Sequence, residues 1–252
     1  MSPVKEYHPI AFRILRLLRY VPFAHNLARR MFVYRRQSLE TELFGIKFPN
    51  PVGVASGLDR KGEYYNDLAL FGPGFVEIGP ARNAVKIVRN LADNPPRGIV
   101  PIVVVGGHHS DAYVKEVEKD FALVYDFGAV IALALPLVGY AQLIDRIMTV
   151  RRYNDVYRPV MVKISQNMEA SEIETVVRYS LLAGVDAVEA PENHLDAVLA
   201  IAGGIVPVVA EADVSNIAHA RELLSKGVTL ISLSTGLIKN GPSFVRRILK
   251  TL

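Results

Sequence analysis

After residue 45, eight short apolar runs recur along the chain, each followed by a segment whose apolar residues repeat with the 3.6-residue period of a helix. This regular alternation of strand and amphipathic helix is typical of a parallel sheet in an α/β protein. Eight units favour a closed (β/α)8 TIM barrel over a doubly wound open sheet, because no nucleotide-binding fingerprint is present. The predicted strands are Val52–Ser56, Phe75–Ile78, Val100–Val105, Ala129–Leu135, Val160–Ile164, Ala187–Ala190, Val206–Ala210 and Thr229–Leu233; the predicted helices include Asp111–Tyr125, Ala141–Tyr153, Ser171–Leu182, Asn216–Leu224 and Ser243–Leu252.

The segment FPNPVGVASGLDRKGE (48–63) contains the strongest local indication of a binding site. Ala55, Ser56 and Gly57 leave little side-chain bulk at the carboxyl end of the first predicted strand, so a flat ligand could approach the backbone there. Asp59 can cap a helix that begins directly after it. An ordinary strand-to-helix turn has the same features, so the pattern alone leaves both interpretations open.

The first 36 residues are strongly basic. They contain eight lysines and arginines and one acidic residue, a net charge of +7, so the rest of the chain carries −3 of the total of +4. The helical period predicts one amphipathic helix before Pro22 and a second over Ala24–Phe32. These helices could cover one end of the barrel or dock onto an anionic membrane surface. Nucleic-acid binding is not indicated, because neither base-stacking aromatic residues nor a known module accompany the charges.

Composition limits both architecture and chemistry. Half of the 252 residues are apolar, enough for one large core, and we expect a basic arm over residues 1–38 and a barrel over residues 39–252. The chain has no cysteine, which excludes disulfides, a thiol nucleophile and a cysteine-ligated iron–sulfur cluster. No apolar run is long enough to span a bilayer, and the N-terminus lacks the apolar core of a signal peptide. These features predict a cytoplasmic protein, peripheral at the inner face of the membrane if the arm docks there.

Three segments resemble the dihydroorotate dehydrogenases, particularly the quinone-linked class 2 enzymes, and they occur in the same order as in that family. They are residues 48–79, PVMVKIS (159–165) and STGLIKNGP (234–242). The resemblance implies FMN as the cofactor. In the family the lysine of the fifth strand approaches the isoalloxazine and the glycine turn before the last helix receives the phosphate, which suits the chemistry of lysine and of a helix N-terminus. Lys163 could instead only pair with a barrel carboxylate, and Gly236 could only cap a strand. The implied cofactor-binding residues are Ala55, Ser56, Gly57, Lys163, Ser234, Thr235 and Gly236.

The position of the family's catalytic base is changed. Family members end the fourth strand in a serine–proline–asparagine turn whose serine removes a proton from dihydroorotate. Here Pro136 aligns with that proline, so Leu135 occupies the serine position. A leucine side chain cannot accept a proton, and we therefore assign no catalytic residue. Arg60 stands at the orotate-binding lysine and remains the substrate-binding candidate, although arginine and lysine are not interchangeable in a tight site. Polar family positions are also replaced at Pro80, Val104, Ala132, Leu137, Pro191 and Glu192.

Acidic residues occupy the expected phosphate end. The seventh strand should finish in a glycine pair but reads VVAEADV, which contains Glu211 and Asp213. Carboxylates a few ångströms from a phosphate would repel it, so we expect FMN binding to be weak or lost. Alternatively, Asp213 or Ser215 caps the helix that begins near Asn216, and Glu211 points to solvent.

The sequence thus predicts a catalytically inactive dihydroorotate dehydrogenase-like barrel with a binding or scaffolding role, whose protein partner is unknown. One alternative is an active class 2 oxidoreductase that converts dihydroorotate to orotate with FMN and quinone in pyrimidine biosynthesis. Another is a divergent barrel that binds a small molecule or a metal such as Mn or Zn, but the spacing of its acids and histidines matches no defined motif, so no metal ligand is assigned. The residues considered for a metal are Glu189, Glu192, His194, Glu211, Asp213, His108, His109 and Asp111.

Overall fold

The computed structural model describes residues 22–80, 84–107 and 113–252. Within these ranges, eight parallel strands follow one another around a closed barrel, and the last strand is hydrogen-bonded to the first. The (β/α)8 prediction is therefore confirmed. The strands are β1 (Thr41–Leu43) and β2 (Ile46–Phe48), which form a separate antiparallel hairpin, and the barrel strands β3 (Val52–Asp59), β4 (Phe75–Ile78), β5 (Val100–Gly106), β6 (Val130–Ala134), β7 (Val160–Lys163), β8 (Ala187–Pro191), β9 (Val208–Ala212) and β10 (Leu230–Leu233).

Helices surround the barrel, as the amphipathic segments predict. The described α-helices are α1 (Pro22–Phe32), α2 (Tyr65–Leu68), α3 (Val85–Asp93), α4 (Tyr113–Val124), α5 (Tyr140–Arg152), α6 (Ala170–Ala183), α7 (Leu195–Ala202), α8 (Ile217–Ser225), α9 (Gly236–Asn240) and α10 (Phe244–Leu249). None of the helices in the described ranges is long and apolar enough to cross a membrane.

The helix expected directly after Asp59 is a wrong prediction. Asp59 is the last residue of β3, and α2 begins at Tyr65. The Asp59 side chain is buried and accepts the backbone N–H groups of Glu63 at 2.9 Å and Tyr64 at 2.8 Å. The carboxylate therefore closes a turn between strand and helix rather than capping a helix of its own.

The predicted seventh barrel strand is displaced by two residues. It was expected over 206–210, whereas β9 spans Val208–Ala212. Pro207 has no N–H to donate to a strand ladder, which explains why regular pairing starts after it. The shift places Glu211 inside the strand, with consequences for the site.

The second arm segment packs on the barrel. Pro22 is the first residue of α1 rather than a break before it, a position where proline is tolerated because the first helical N–H lacks an intrahelical partner. Phe32 meets Phe71 edge-to-face with ring centroids 6.1 Å apart, and Arg246 donates to the carbonyl oxygens of Arg30 and Met31. The first predicted arm helix lies outside the described residues, and the boundary at residue 38 stays a prediction.

The barrel interior changes from apolar to polar along its axis. Phe48 of the β1–β2 hairpin packs edge-to-face on Phe75 at 6.0 Å and joins an apolar cluster that includes Ile102 and Met161. Toward the carboxyl ends of the strands, by contrast, the buried side chains include Glu77 and Lys163. Buried charges cost free energy unless they are paired. The layer of side chains at the carboxyl ends of the strands is therefore the candidate location of a functional site.

Candidate functional site at the barrel mouth

The carboxyl ends of the barrel strands surround a cavity of about 690 Å³. Gly57 has a positive φ of +101°, and a Cβ atom added there would meet nothing within 4 Å, so its backbone faces open space. Gly236 differs: a Cβ there would lie 2.5 Å from the carbonyl oxygen of Val214, so this glycine is required for packing. Ala55 is almost fully buried and, like Gly236, is not on the lining. Among the predicted cofactor, substrate and base positions, those that line the cavity are Ser56, Gly57, Arg60, Leu135, Lys163, Ser234 and Thr235. The positions Pro191, Glu192, Glu211 and Asp213 also line it.

Lys163 lies at the centre of a buried ionic network. Its Nζ is 2.8 Å from Glu77 Oε2, 2.5 Å from Glu189 Oε1 and 3.0 Å from Glu211 Oε2. The four residues come from β7, β4, β8 and β9, and the register of β7 and β8 places Lys163 directly beside Glu189. Burial would lower the pKa of Lys163, but attraction by Glu189, Glu77 and Glu211 raises that pKa well above its usual value. The lysine is therefore a cation. It pairs with barrel carboxylates, which is one of the two interpretations that the sequence left open.

Glu77 is the best-bonded carboxylate of this network. Besides Lys163, it accepts the backbone N–H of Ser56 at 3.1 Å and the hydroxyl of Ser232. Burial would raise the pKa of Glu77, but the attraction of Lys163 and the hydrogen bonds from Lys163 and Ser232 hold it below its usual value. Glu77 is therefore ionised, although it is completely buried.

Glu189 is the carboxyl group of the network whose pKa is raised. Burial and repulsion by Glu77 raise its pKa well above its usual value, against the attraction of Lys163. Its Oε2 atom is buried and has no hydrogen-bond partner in the described part of the chain. One ammonium among three carboxyl groups leaves excess negative charge, which favours the protonated form of Glu189.

An acidic side chain lies at the end of the cavity where the family resemblance places the FMN phosphate. Asp213 accepts hydrogen bonds from the Thr235 hydroxyl and from Lys239 Nζ at 2.5 Å, and these bonds lower its pKa. The interpretation that Asp213 or Ser215 caps α8 is wrong, because Asn216 itself caps this helix by accepting the N–H of His219 at 3.0 Å.

The solvent-facing interpretation of Glu211 is also wrong, because its carboxylate binds Lys163. Lys163 and Thr235, two donors that the family resemblance assigns to FMN, thus already bond protein carboxylates. This arrangement of donors and acids does not fit a flavin phosphate.

Two members of the network were missed in the sequence. Glu77 lies in the run FVEI and Ser232 in LISL, where each interrupts an otherwise apolar strand. A polar residue at a fully buried strand position requires a partner, which is a signal that sequence reading could have used. In the described ranges no three His, Cys, Asp or Glu side chains are arranged to hold a metal ion. His108, His109 and Asp111 lie outside those ranges.

Comparison with known proteins relates the whole chain to one group of enzymes, although no family model matches it. It is 22% identical to the dihydroorotate dehydrogenase (quinone) of Helicobacter acinonychis (strain Sheeba) over 316 aligned positions, which cover 98% of this chain and 90% of that protein. It is also 22% identical to the enzyme of that name from Aeromonas salmonicida (strain A449), over 97% of this chain and 94% of that one. Because 316 positions exceed the 252 residues of the chain, the Helicobacter protein contains segments that are absent here.

Solved structures agree in fold. Ligand-free DHODH from Eimeria tenella matches with a TM-score of 0.77 and 14% identity, covering 96% of this chain and 93% of that one. The complex of the Eimeria tenella DHODH with ferulenol matches with a TM-score of 0.73 and 15% identity, covering 91% and 88%. At this identity the likeness supports the barrel fold alone.

Proposed function

We propose that this chain, which is a shortened and divergent member of the dihydroorotate dehydrogenase family, has lost catalysis and FMN and serves as a binding or scaffolding barrel. The observation that carries the proposal is the network around Lys163. A lysine that is held by Glu77, Glu189 and Glu211 has its charge neutralised by the protein. It offers little net attraction to an anionic cofactor.

The position of Leu135 supports the same proposal. Leu135 is nearly buried on the cavity lining, and its backbone N–H donates to the carbonyl oxygen of Lys163 at 3.0 Å. The leucine therefore has a fixed place in the barrel wall, and its side chain has no atom that can take a proton. Loss of the base and loss of a suitable phosphate site are independent changes that lead to the same conclusion.

Catalytic activity as a class 2 dihydroorotate dehydrogenase is the second candidate, favoured by the open cavity with Arg60 on its lining. It requires a proton acceptor other than Leu135. Ser165, which lines the cavity and accepts the N–H of Asn167 at 3.2 Å, is a hydroxyl that can be tested in this role.

We expect the purified chain to lack visible flavin absorbance and to show no reduction of a quinone or dye by dihydroorotate above background, even with added FMN. The measurement is an absorbance spectrum followed by a steady-state assay, with an active class 2 enzyme in parallel as a positive control. Turnover that disappears in Arg60→Ala or Ser165→Ala would contradict the proposal and support the second candidate.

We also propose that residues 1–36 dock onto an anionic membrane surface. On α1, the side chains of Leu27 and Met31 are 48% and 52% exposed, and Arg29 and Arg30 are exposed between them. Apolar side chains flanking a cationic pair on one short helix suit binding in the headgroup region of a bilayer.

The double change Leu27→Ser and Met31→Ser should weaken binding to phosphatidylglycerol vesicles by about tenfold or more. The reason is that two exposed apolar side chains, which would enter the bilayer on binding, are lost. Co-sedimentation at low and high salt measures the effect, and wild-type binding should fall as salt rises. Leu182→Ser on α6, at a side chain 89% exposed, is the matched control. Equal binding by all three proteins would mean that α1 only covers the barrel.

A further inference from the structure

We propose a phosphate-binding site, distinct from the barrel mouth, in a cavity between α1 and the loop that precedes β5. The cavity measures about 610 Å³, and Arg29 and Arg35 line it from the arm side while Arg97 lines it from the loop. Three asparagines, Asn26, Asn66 and Asn94, also contribute to the lining. The ligand class is a phosphate ester anion.

The part of the cavity lining that the structure describes carries more positive than negative charge. Arg29, Arg35 and Arg97 are all exposed, and none of them forms an ion pair with another described residue. Asp67 is the carboxylate that the described lining contains, and it is 2% exposed. Among the described lining residues, three guanidinium groups and one buried carboxylate leave an excess of positive charge. A phosphate oxyanion fits such groups well, because each guanidinium offers parallel N–H donors.

The backbone that carries Arg97 is held in place. Asn66 donates through Nδ2 to the carbonyl oxygens of Asn94 at 3.3 Å and Pro95 at 3.1 Å, and its Oδ1 accepts the N–H of Arg97 at 3.0 Å. One side chain therefore makes three hydrogen bonds to a four-residue loop. A fixed loop reduces the ordering cost of binding at Arg97.

The backbone that carries Arg29 is also anchored. The carbonyl oxygens of Arg30 and Met31, at the end of α1, accept hydrogen bonds from Arg246 of α10. The arginines on the two sides of the cavity are thus presented by elements that are separately tied to the barrel. This placement distinguishes the cavity from a chance group of mobile surface arginines.

The position of the cavity allows two sources of phosphate. A neighbouring cavity of about 580 Å³ shares Arg29 and Arg35 and adds Arg30, so the positive surface continues along α1. Because Leu27 and Met31 are exposed on the same helix, the phosphate could belong to a lipid headgroup. It could equally belong to a soluble phosphate compound, and the two sources can be separated by experiment.

The test titrates the intact chain with inorganic phosphate by calorimetry, using Arg97→Gln, Arg35→Gln and the control Arg152→Gln. Arg152 is exposed at the end of α5 and is not on the lining. We expect saturable binding that weakens by about tenfold or more in each cavity variant, because a charge-assisted hydrogen bond is lost. Binding to the control should be unchanged, and thermal unfolding should show that all three variants are folded.

Vesicles then separate the sources. If phosphatidic acid vesicles compete with inorganic phosphate, the site takes a lipid headgroup; if they do not, it takes a soluble phosphate compound. Absence of saturable binding to the wild-type chain, or equal weakening by Arg152→Gln and Arg97→Gln, would overturn the proposal. The inference does not depend on the proposed function of the mouth, which is tested separately by dihydroorotate turnover.

Discussion

Replacing Lys163 by methionine is expected to lower the free energy of unfolding by about 3–5 kcal/mol at neutral pH, the cost of removing one partner from a buried ionic network. Methionine has a similar length, so packing is largely preserved. Glu77, which is completely buried, would lose its cation and would have to take up a proton or remain as an unpaired charge. Urea denaturation followed by circular dichroism measures the loss.

Two further variants identify the cause. Lys239→Met removes the cation that pairs with Asp213, but the Lys239 side chain is 56% exposed, so the expected loss is at most about 1 kcal/mol. Adding Glu77→Gln to Lys163→Met should recover much of the stability, because a neutral amide replaces the stranded carboxylate. A loss in Lys163→Met no larger than in Lys239→Met would show that water enters the barrel mouth and solvates these groups.

The fold was largely predictable because alternation of buried strands and amphipathic helices is a local property of the chain. Each apolar run, such as Val100–Val105, has the right length and is followed by a helical period, so eight units could be counted without knowledge of their contacts. Errors lie at boundaries where one residue overrides the pattern. Pro207 delays β9, and the buried carboxylate of Asp59 forms a turn where a helix was expected.

The site was predictable in location but not in pairing. The resemblance to a known family placed Lys163 and Glu211 at the carboxyl ends of strands, and both do line the cavity. Sequence could not show that they bond each other, since the pairing depends on strand register and on Glu211 lying inside β9. The sequence also could not show that Glu77 is a partner of Lys163, because the two residues are 86 positions apart along the chain.

These contacts explain how a barrel can keep a lysine at this position without a cofactor. An ammonium in the barrel interior needs counter-charges, and in this chain Glu77 and Glu211 supply them, with Glu189 as a third carboxyl partner. The network therefore stabilises the folded mouth whether or not a ligand is bound. Its excess of carboxyl groups makes that stability depend on pH.

Glu189→Gln should make the protein more stable than the wild type at alkaline pH, with the difference growing as pH rises. The pKa of Glu189 in the folded state is well above the value of 4.5 expected for the unfolded chain, because burial and the repulsion of Glu77 disfavour its ionised form. Folding therefore takes up a proton at pH values between these two pKa values. The contribution of Glu189 is fully present below pH 4.5 and is lost as pH rises through the folded pKa.

In that window, one bound proton gives a slope of about −1.4 kcal/mol per pH unit in the unfolding free energy of the wild type. Glutamine imitates the protonated carboxyl group at every pH, so the variant should lack this slope. Urea denaturation of both proteins from pH 5 to pH 9 measures it, roughly the range in which carboxyl groups with raised pKa values titrate. Glu77→Gln is the matched control, since the pKa of Glu77 is lowered. Its charge therefore stabilises the fold fully above the unfolded value of 4.5, and this contribution is lost as pH falls through the folded pKa. That control should therefore destabilise the protein across the whole range.

Parallel stability profiles for Glu189→Gln and the wild type would mean that Glu189 is ionised in the folded protein and that Lys163 balances all three carboxylates without a proton.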